Sequence, residues 1–292
     1  MTTVAFIGLG NMGGPMAANL AKAGYRVVGF DLSQELRDAA QAQGAQAARS
    51  AREAVAEADM IVTMLPAGKH VLSVWGEIVP TLKPGTLIID SSTIDVESAT
   101  KTHAMAKERG CRSLDAPVSG GVGGARAATL TFMCGGSLEA FAAAEPILSR
   151  MGKKVVHCGD PGAGQAAKIC NNMILGISMI GVCEAFVLAE KLGLTHQALF
   201  DVMSTSSAQS WALTGYCPVP GPVPASPANR DYRPGFSAAL MAKDLGLAQE
   251  AAQAAGAPTA LGAQALEFYR RFLEQGGGAQ DFSGIIRMIR GG

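Results

Sequence analysis

Near the start of the chain, Val4-Ala-Phe-Ile7 runs directly into Gly8-Leu9-Gly10-Asn11-Met12-Gly13, and a helical stretch from Gly14 to Ala23 follows. No other feature of the chain restricts its fold as much, because strand, G-x-G-x-x-G turn and helix in that order open a βαβ unit that receives a dinucleotide. Gly8 permits the tight turn, Gly10 lets the backbone approach a pyrophosphate, and Gly13 allows the helix to lie close on the strand. With 36 glycines in 292 residues a bare motif arises easily by chance. Its context carries the reading. Arg26 to Phe30 reads as a second strand ending at Asp31, eighteen residues past Gly13, where a carboxylate accepts hydrogen bonds from an adenosine ribose. A 2′-phosphate there meets like charge, and no cation stands in Leu32-Ser-Gln-Glu35. Arg37, the nearest one, lies a helical turn or more away. The pattern predicts NAD over NADP.

Beyond this unit, Ile61 to Leu65 and Leu87 to Asp90 read as parallel strands buried on both faces, separated by helix-length segments rich in Ala and Glu. Leu114 to Val118, Thr129 to Cys134 and Lys154 to His157 extend the series, and Ser137 to Arg150 reads as a helix with Ser137 as its N-cap. The alternation describes an α/β class protein with a Rossmann-type, doubly wound, mostly parallel sheet. The boundary is expected near Gly159-Asp-Pro-Gly162, giving a nucleotide-binding domain over residues 1–162.

After it the β-branched runs stop, and Gly164 to Leu192 reads as one long helix, a connecting element over residues 163–193. It is apolar nearly all round at Ile174-Leu-Gly-Ile-Ser-Met-Ile180, so it is buried within the chain or clasped by a second subunit, which look alike in sequence. Helices over 195–203, 237–255, 259–274 and 281–289 make an all-α C-terminal domain, 194–292. Between them, Tyr216 to Pro227 carries five prolines. It is expected as an irregular loop, either a surface linker or, given Trp211, Tyr216, Tyr232 and Phe236 around it, the wall of a cleft.

Composition excludes several classes. The 24 basic and 24 acidic residues balance, with no basic run, which argues against nucleic acid or an anionic membrane as partner. Six cysteines without a C-x-x-C pair and four histidines without H-E-x-x-H support no metal site, and reduced, mostly buried thiols are expected. The first strand starts within a few residues of the N-terminus, leaving no room for a targeting segment, so a cytoplasmic location is expected.

The candidate reaction centre lies in GAGQAAKICNN. Lys168 and Asn172, four residues apart, fall on one helix face, the arrangement a proton donor and its positioning partner need. A solvated helix lysine is the ordinary alternative, but this one sits among Gly, Ala and Gln with few charged neighbours. Burial near a cationic nicotinamide disfavours its charged form and suits it to take an alcohol proton. Cys170, between the two, points away and reads as a packing residue. His157 and Cys158 alternate across a strand and form no dyad.

Taken in order, GLGNMGGPMAANLAKAG, MLPAG, DSSTID, DAPVSGGVGGA, GAGQAAKICNN and MAKDLGLA resemble the 3-hydroxyisobutyrate dehydrogenase branch of the β-hydroxyacid dehydrogenases over nearly the whole chain. The resemblance implies NAD as cofactor, held by Gly8, Leu9, Gly10, Asn11, Met12, Gly13 and Asp31, with Leu65, Pro66, Thr93 and Lys243. It implies a substrate-carboxylate anchor at Ser119, Gly120 and Gly121, and catalysis by Lys168 with Asn172. Trp211, Tyr216 and Phe236 are candidates for the substrate pocket and equally for helical core, and Asp244 for pairing with a neighbouring cation. The implied reaction is hydride transfer from 3-hydroxyisobutyrate to give methylmalonate semialdehyde, a step of branched-chain amino acid (valine) breakdown, in a homodimer or homotetramer. Its rivals are reduction of tartronate or succinic semialdehyde, and a non-catalytic dinucleotide-binding module. One departure stands out: Ala128 in GARAATL occupies a position where the family pattern has glycine, with little effect expected unless the backbone there needs a positive φ.

Overall fold

A computed structural model describes residues 1–291 and divides the chain into two compact units, Met1–Lys168 and Ile169–Gly292. The first unit begins β1 (Thr3–Ile7), α1 (Gly13–Lys22), β2 (Arg26–Phe30), α2 (Gln34–Ala42), β3 (Gln46–Ala47), α3 (Ala51–Val55), β4 (Met60–Thr63), α4 (Gly68–Ile78), β5 (Leu87–Asp90) and α5 (Val96–Glu108). It continues with β6 (Arg112–Asp115), β7 (Val118–Ser119), α6 (Gly121–Ala127), β8 (Leu130–Gly135), α7 (Leu138–Leu148) and β9 (Gly152–Gly159), and ends in the opening turns of α8 (Ala163–Lys191).

The sheet runs β3-β2-β1-β4-β5-β6-β8-β7, with β9 alongside β8. Pairings from β3 to β6 are parallel and β8 meets β6 and β7 antiparallel, which makes a mostly parallel, doubly wound Rossmann sheet. Strand alternation divides β1 between two cores. Val4 and Phe6 join Met16, Leu20, Val62 and Ile89 on one face; Ala5 and Ile7 join Ile61, Trp75, Ile78 and Ile88 on the other. Strands buried on both faces are the reason these segments read as unbroken apolar runs. Chain order reverses direction between β1 and β4, the switch point at which open α/β sheets hold ligands beyond their carboxyl ends.

The structure departs from the sequence expectations at several places. The expected strand over 114–118 breaks at Ala116 and Pro117, because Pro117 has no N–H to continue a ladder, and the chain turns into the two-residue β7. The two-residue β3 had no legible pattern. Ser137 does cap α7, accepting from Ala140 N. The first compact unit takes in the opening turns of α8 as far as Lys168, and Gly162 N and Gln165 N both donate to the carboxylate of Asp115.

In the second unit the rest of α8 is followed by α9 (His196–Thr205), α10 (Trp211–Thr214), α11 (Ala238–Ala255), α12 (Ala260–Glu274) and α13 (Ile286–Ile289). Thr195 and Ser237 cap α9 and α11 as their spacing predicts. Met179, Cys183 and Phe186 of α8 pack with Met241, Leu245, Leu266, Tyr269 and Phe282 in one core. By length and a mean hydropathy of 1.9, α8 would pass for a membrane span. Its hydrogen-bonded first turn and its share of this core make it a core helix instead. No residue run from Cys217 to Ser226 is helix or strand, yet the segment folds on itself, with Ser226 Oγ donating to Cys217 O and Tyr232 Oη to Pro218 O.

Candidate active site

The carboxyl edge of the parallel sheet bears Gly8 to Gly13, Asp31, Leu65, Pro66 and Thr93, whereas Lys243 lies on α11 in the second unit. Gly8 has φ +96°, and a Cβ there would lie 2.2 Å from Met64 O, so only glycine fits the turn. A Cβ on Gly13 would stand 1.9 Å from Gly8 O, whereas one on Gly10 would meet nothing within 4 Å. The N-terminus of α1 has neither a side-chain cap nor an acidic residue in its first turn. Open backbone at Gly10 before an uncapped ten-residue helix is an arrangement that suits an anion such as a pyrophosphate.

Asp31 turns its carboxylate onto this loop: Oδ2 accepts from Leu9 N at 2.8 Å and Oδ1 from Ser33 N at 2.9 Å. A carboxylate accepts about four hydrogen bonds, so capacity remains for a ribose diol. Arg37 is closer than its sequence separation implies. Its guanidinium reaches back to the carbonyls of Asp31 and Leu32 and lies 5.9 Å from the Phe30 ring centre. It turns back because those two carbonyls stand next to the helix start, within reach of a long flexible side chain.

The loops after β4 and β5 are joined by a buried relay. Thr63 Oγ1 and Ser92 Oγ donate to Asp90 Oδ1 at 2.7 and 2.6 Å, and Ser92 Oγ accepts from Leu65 N at 2.8 Å. Leu65, Pro66 and Thr93 are thereby borne on loops with a common anchor. Burial pushes the Asp90 carboxyl up to about 6 in spite of these donors. Sequence reasoning singled out Thr93 in this motif and missed Asp90 and Ser92.

Next along the edge, β7 holds Ser119 opposite Thr131, half-buried, and the chain then takes φ +130° at Gly120 and +60° at Gly121 to start α6. Two consecutive positive φ values explain the glycine pair. At the far end of α6, Ala128 is left-handed at φ +54°, so the departure from glycine carries a strained backbone.

Lys168 lies on the opening turns of α8 and is 6% exposed, and Asn172 one turn further is 2% exposed. In the second unit Asn172 Nδ2 donates to Asp244 Oδ2 at 2.6 Å, and Asn171 Nδ2 donates to Asn172 Oδ1 at 2.9 Å, which fixes how the Asn172 amide is turned. Asp244 Oδ1 lies 3.5 Å from Lys243 Nζ, an ion-pair distance without hydrogen-bond geometry, so the cation expected beside Asp244 is its neighbour in sequence. Cys170, expected as packing, is exposed, because a residue two places from the buried pair faces the outer side of the helix.

The aromatic candidates form their own group in the second unit. Tyr216 stacks between Trp211 at 4.9 Å and Phe282 at 5.2 Å, and Phe236 meets Phe282 edge-on. Trp211 is 56% exposed, which removes it from the helical core. Asp281, fully buried, orders the group: it accepts from Tyr216 Oη, Gly235 N, Phe236 N and both Ser283 N and Oγ. The sequence marked Asp281 only as a helix start; its long-range donors leave no local signal.

A strand-turn-helix dinucleotide cradle, an acid at the end of β2 and a buried lysine on the helix beyond the sheet define a nicotinamide-dependent dehydrogenase. The comparisons agree. Residues 3–159 match the model for the NAD-binding domain of 6-phosphogluconate dehydrogenase, and residues 162–289 the model for the NAD-binding domain of NADP-dependent 3-hydroxyisobutyrate dehydrogenase. A probable 3-hydroxyisobutyrate dehydrogenase of Mycobacterium tuberculosis is 53% identical over 99% of this chain and 98% of its own length. Two proteins of Pseudomonas aeruginosa, an NAD-dependent L-serine dehydrogenase and a 3-hydroxyisobutyrate dehydrogenase, are 51% and 49% identical, covering 99% and 100% of this chain and 98% and 99% of theirs. The solved structure of the Mycobacterium tuberculosis 3-hydroxyisobutyrate dehydrogenase with L-serine superposes with a TM-score of 0.96 at 53% identity, covering 99% of each chain. The chain belongs to the β-hydroxyacid dehydrogenase family, in its 3-hydroxyisobutyrate dehydrogenase branch, and is an NAD-dependent oxidoreductase.

Proposed function

We propose that this enzyme oxidises the primary alcohol of 3-hydroxyisobutyrate to methylmalonate semialdehyde, with Lys168 as the general base. The observation that carries the reading is a buried amine, Lys168 at 6% exposure, on a helix whose first turn is hydrogen-bonded to the strand ends of the dinucleotide domain. Bound NAD supplies the hydride acceptor. Its pyrophosphate is assigned to the Gly8–Gly13 turn, its adenosine ribose to Asp31 and its nicotinamide half to Leu65, Pro66, Thr93 and Lys243. Neutral Lys168 takes the proton from the substrate hydroxyl as the carbinol carbon is oxidised, and returns it in the reverse direction. Asn172, its amide turned by Asp244 and Asn171, orients the hydroxyl and the amine. The Ser119 hydroxyl and the N–H groups of Gly120 and Gly121 bind the substrate carboxylate. Trp211, Tyr216 and Phe236 shape the pocket around the substrate's remaining substituent.

L-serine is a second reading, favoured by two observations: a 51% identical relative is named an L-serine dehydrogenase, and the structure with a TM-score of 0.96 is that of a relative with L-serine. The two differ in an ammonium against a methyl group beside the carboxylate. A panel of 3-hydroxyisobutyrate and L-serine, oxidised with NAD or NADP, and of tartronate semialdehyde and succinic semialdehyde, reduced with NADH or NADPH, decides between them. We expect the highest kcat/KM for 3-hydroxyisobutyrate with NAD. Pocket contacts are worth about 1–3 kcal/mol each, so a tenfold or greater preference for L-serine would replace this reading by the second. The exposed apolar side chains Ile174, Leu188 and Leu192 at the outer face of α8 and just past its end favour self-association as a homodimer or homotetramer, which light scattering of the purified enzyme would measure.

A further inference from the structure

One turn before Lys168, on the same face of α8, stands Gln165, with no exposed surface. Its side-chain amide makes two hydrogen bonds to a single short stretch of backbone. Nε2 donates to Ser92 O at 2.8 Å, and Oε1 accepts from Ile94 N at 3.1 Å. The stretch it straddles is Ser92-Thr93-Ile94, directly after β5. With both ends of a planar amide committed in this way, the distance and the roll between helix and loop are fixed together. The main chain of Gln165 is tied down as well, since Gln165 N donates to Asp115 Oδ2 at 2.9 Å and Gly162 N to Asp115 Oδ1 at 2.8 Å. Asp115 in turn is held by His103 Nε2 at 2.9 Å, whose Nδ1 lies 2.7 Å from Ser113 Oγ. Gln165 therefore joins the loop bearing Thr93, the carboxyl end of β6 and the helical turn bearing Lys168.

We propose that Gln165 is a positioning residue for hydride transfer, fixing the spacing between Lys168 and the Thr93 loop. This rests on the roles given to Lys168 and Thr93 under the proposed function. Gln165 touches neither substrate nor cofactor and acts through its two neighbours. Lys168 is only the sixth residue of α8, so the anchor of the first turn determines where its amine stands. An amide meets both backbone groups without placing a charge beside that amine. Proton and hydride transfer depend steeply on distance, and a displacement of about 1 Å costs about a hundredfold in rate.

The test uses the purified full-length enzyme with NAD and with 3-hydroxyisobutyrate or L-serine, each also deuterated at the carbinol carbon. Gln165→Met keeps length and volume and removes both hydrogen bonds. The expected result is a kcat at least tenfold lower, a larger primary isotope effect, and an NAD Kd within threefold of the wild type. A kcat within twofold with an unchanged isotope effect overturns the proposal, as does a loss of rate fully accounted for by weaker NAD binding. If Gln165→Met does not fold, Gln165→Glu decides. A carboxylate there still accepts from Ile94 N but repels Ser92 O, and protonation restores the donor. Its activity relative to wild type is expected to rise as pH falls, and a pH-independent ratio overturns the proposal. Lys168→Ala is run in parallel: full turnover by that variant removes the underlying reading, whereas an inactive Lys168→Ala beside a normal Gln165→Met removes only the inference about Gln165.

Discussion

Two alanine substitutions in the glycine-rich turn should have opposite effects on stability, and the structure says why. At Gly13 an added Cβ lies 1.9 Å from Gly8 O and 3.0 Å from both Gly8 C and Phe6 Cε1. The nearest obstacle is backbone, so relief requires α1 to move off β1 by more than 1 Å. Overpacking of this kind costs about 1–3 kcal/mol or more, larger than the roughly 1 kcal/mol that alanine gains over glycine in a helix. Gly13→Ala should therefore lower stability by at least ~1 kcal/mol and weaken NAD binding with it. At Gly10 the added Cβ meets nothing within 4 Å and the φ is not in the left-handed region, so stability should hold or rise by about 0.4–1 kcal/mol through the unfolded chain. The methyl group would instead stand where the pyrophosphate approaches, and NAD affinity should fall by at least tenfold, about 1.4 kcal/mol. Urea unfolding of each variant, with NAD affinity from titration calorimetry, separates the two effects. Wild-type NAD affinity in Gly10→Ala would refute the placement of the pyrophosphate, and wild-type stability in Gly13→Ala would refute the packing argument.

Other expectations follow from buried or strained groups. The Asp90 carboxyl, raised from 3.8 to about 6 by burial, binds more protons folded than unfolded between those values, so its contribution makes stability fall as pH rises through that window. The linkage is on the order of 3 kcal/mol, and Asp90→Asn should gain on the wild type by up to that amount between pH 4 and pH 7, measured by urea unfolding at each pH. A constant difference across the range would count against the raised value. Ala128→Gly relieves a left-handed alanine worth about 1–2 kcal/mol against a smaller gain in unfolded-state entropy, so a net stabilisation of about 0.5–1 kcal/mol should appear in the same assay. Asp281→Ala strips the acceptor from Tyr216, Gly235, Phe236 and Ser283, and should destabilise by at least ~3 kcal/mol and red-shift the emission of Trp211 as its stack on Tyr216 loosens.

Local signals carried most of the fold. The apolar runs at Val4–Ile7, Ile61 and Leu87, the caps Ser137, Thr195 and Ser237, and the glycine spacing are each set by neighbours a few residues apart, so strand, helix and turn could be read directly. The break at Pro117 was legible in principle from the missing N–H. Residues joined across long separations left no such trace. Gln165 meets Ser92 over 73 residues, Asp281 meets Tyr216 over 65, and Asp244 meets Asn172 over 72. Ser92, Gln165 and Asp244 lie in the same short segments as Thr93, Lys168 and Lys243, and it is these polar neighbours that do the anchoring. Arg37 shows the same limit on a small scale, since distance along a helix does not tell where a long side chain points.

The most direct test is turnover by Lys168→Ala in the presence of saturating NAD. If this amine takes the alcohol proton, kcat should fall by about 10²–10⁴ while NAD binds as in the wild type, and small primary amines added to the buffer should restore part of the rate. Turnover within twofold of wild type, at unchanged NAD affinity, would mean that another group moves the proton and that the buried lysine serves only the fold.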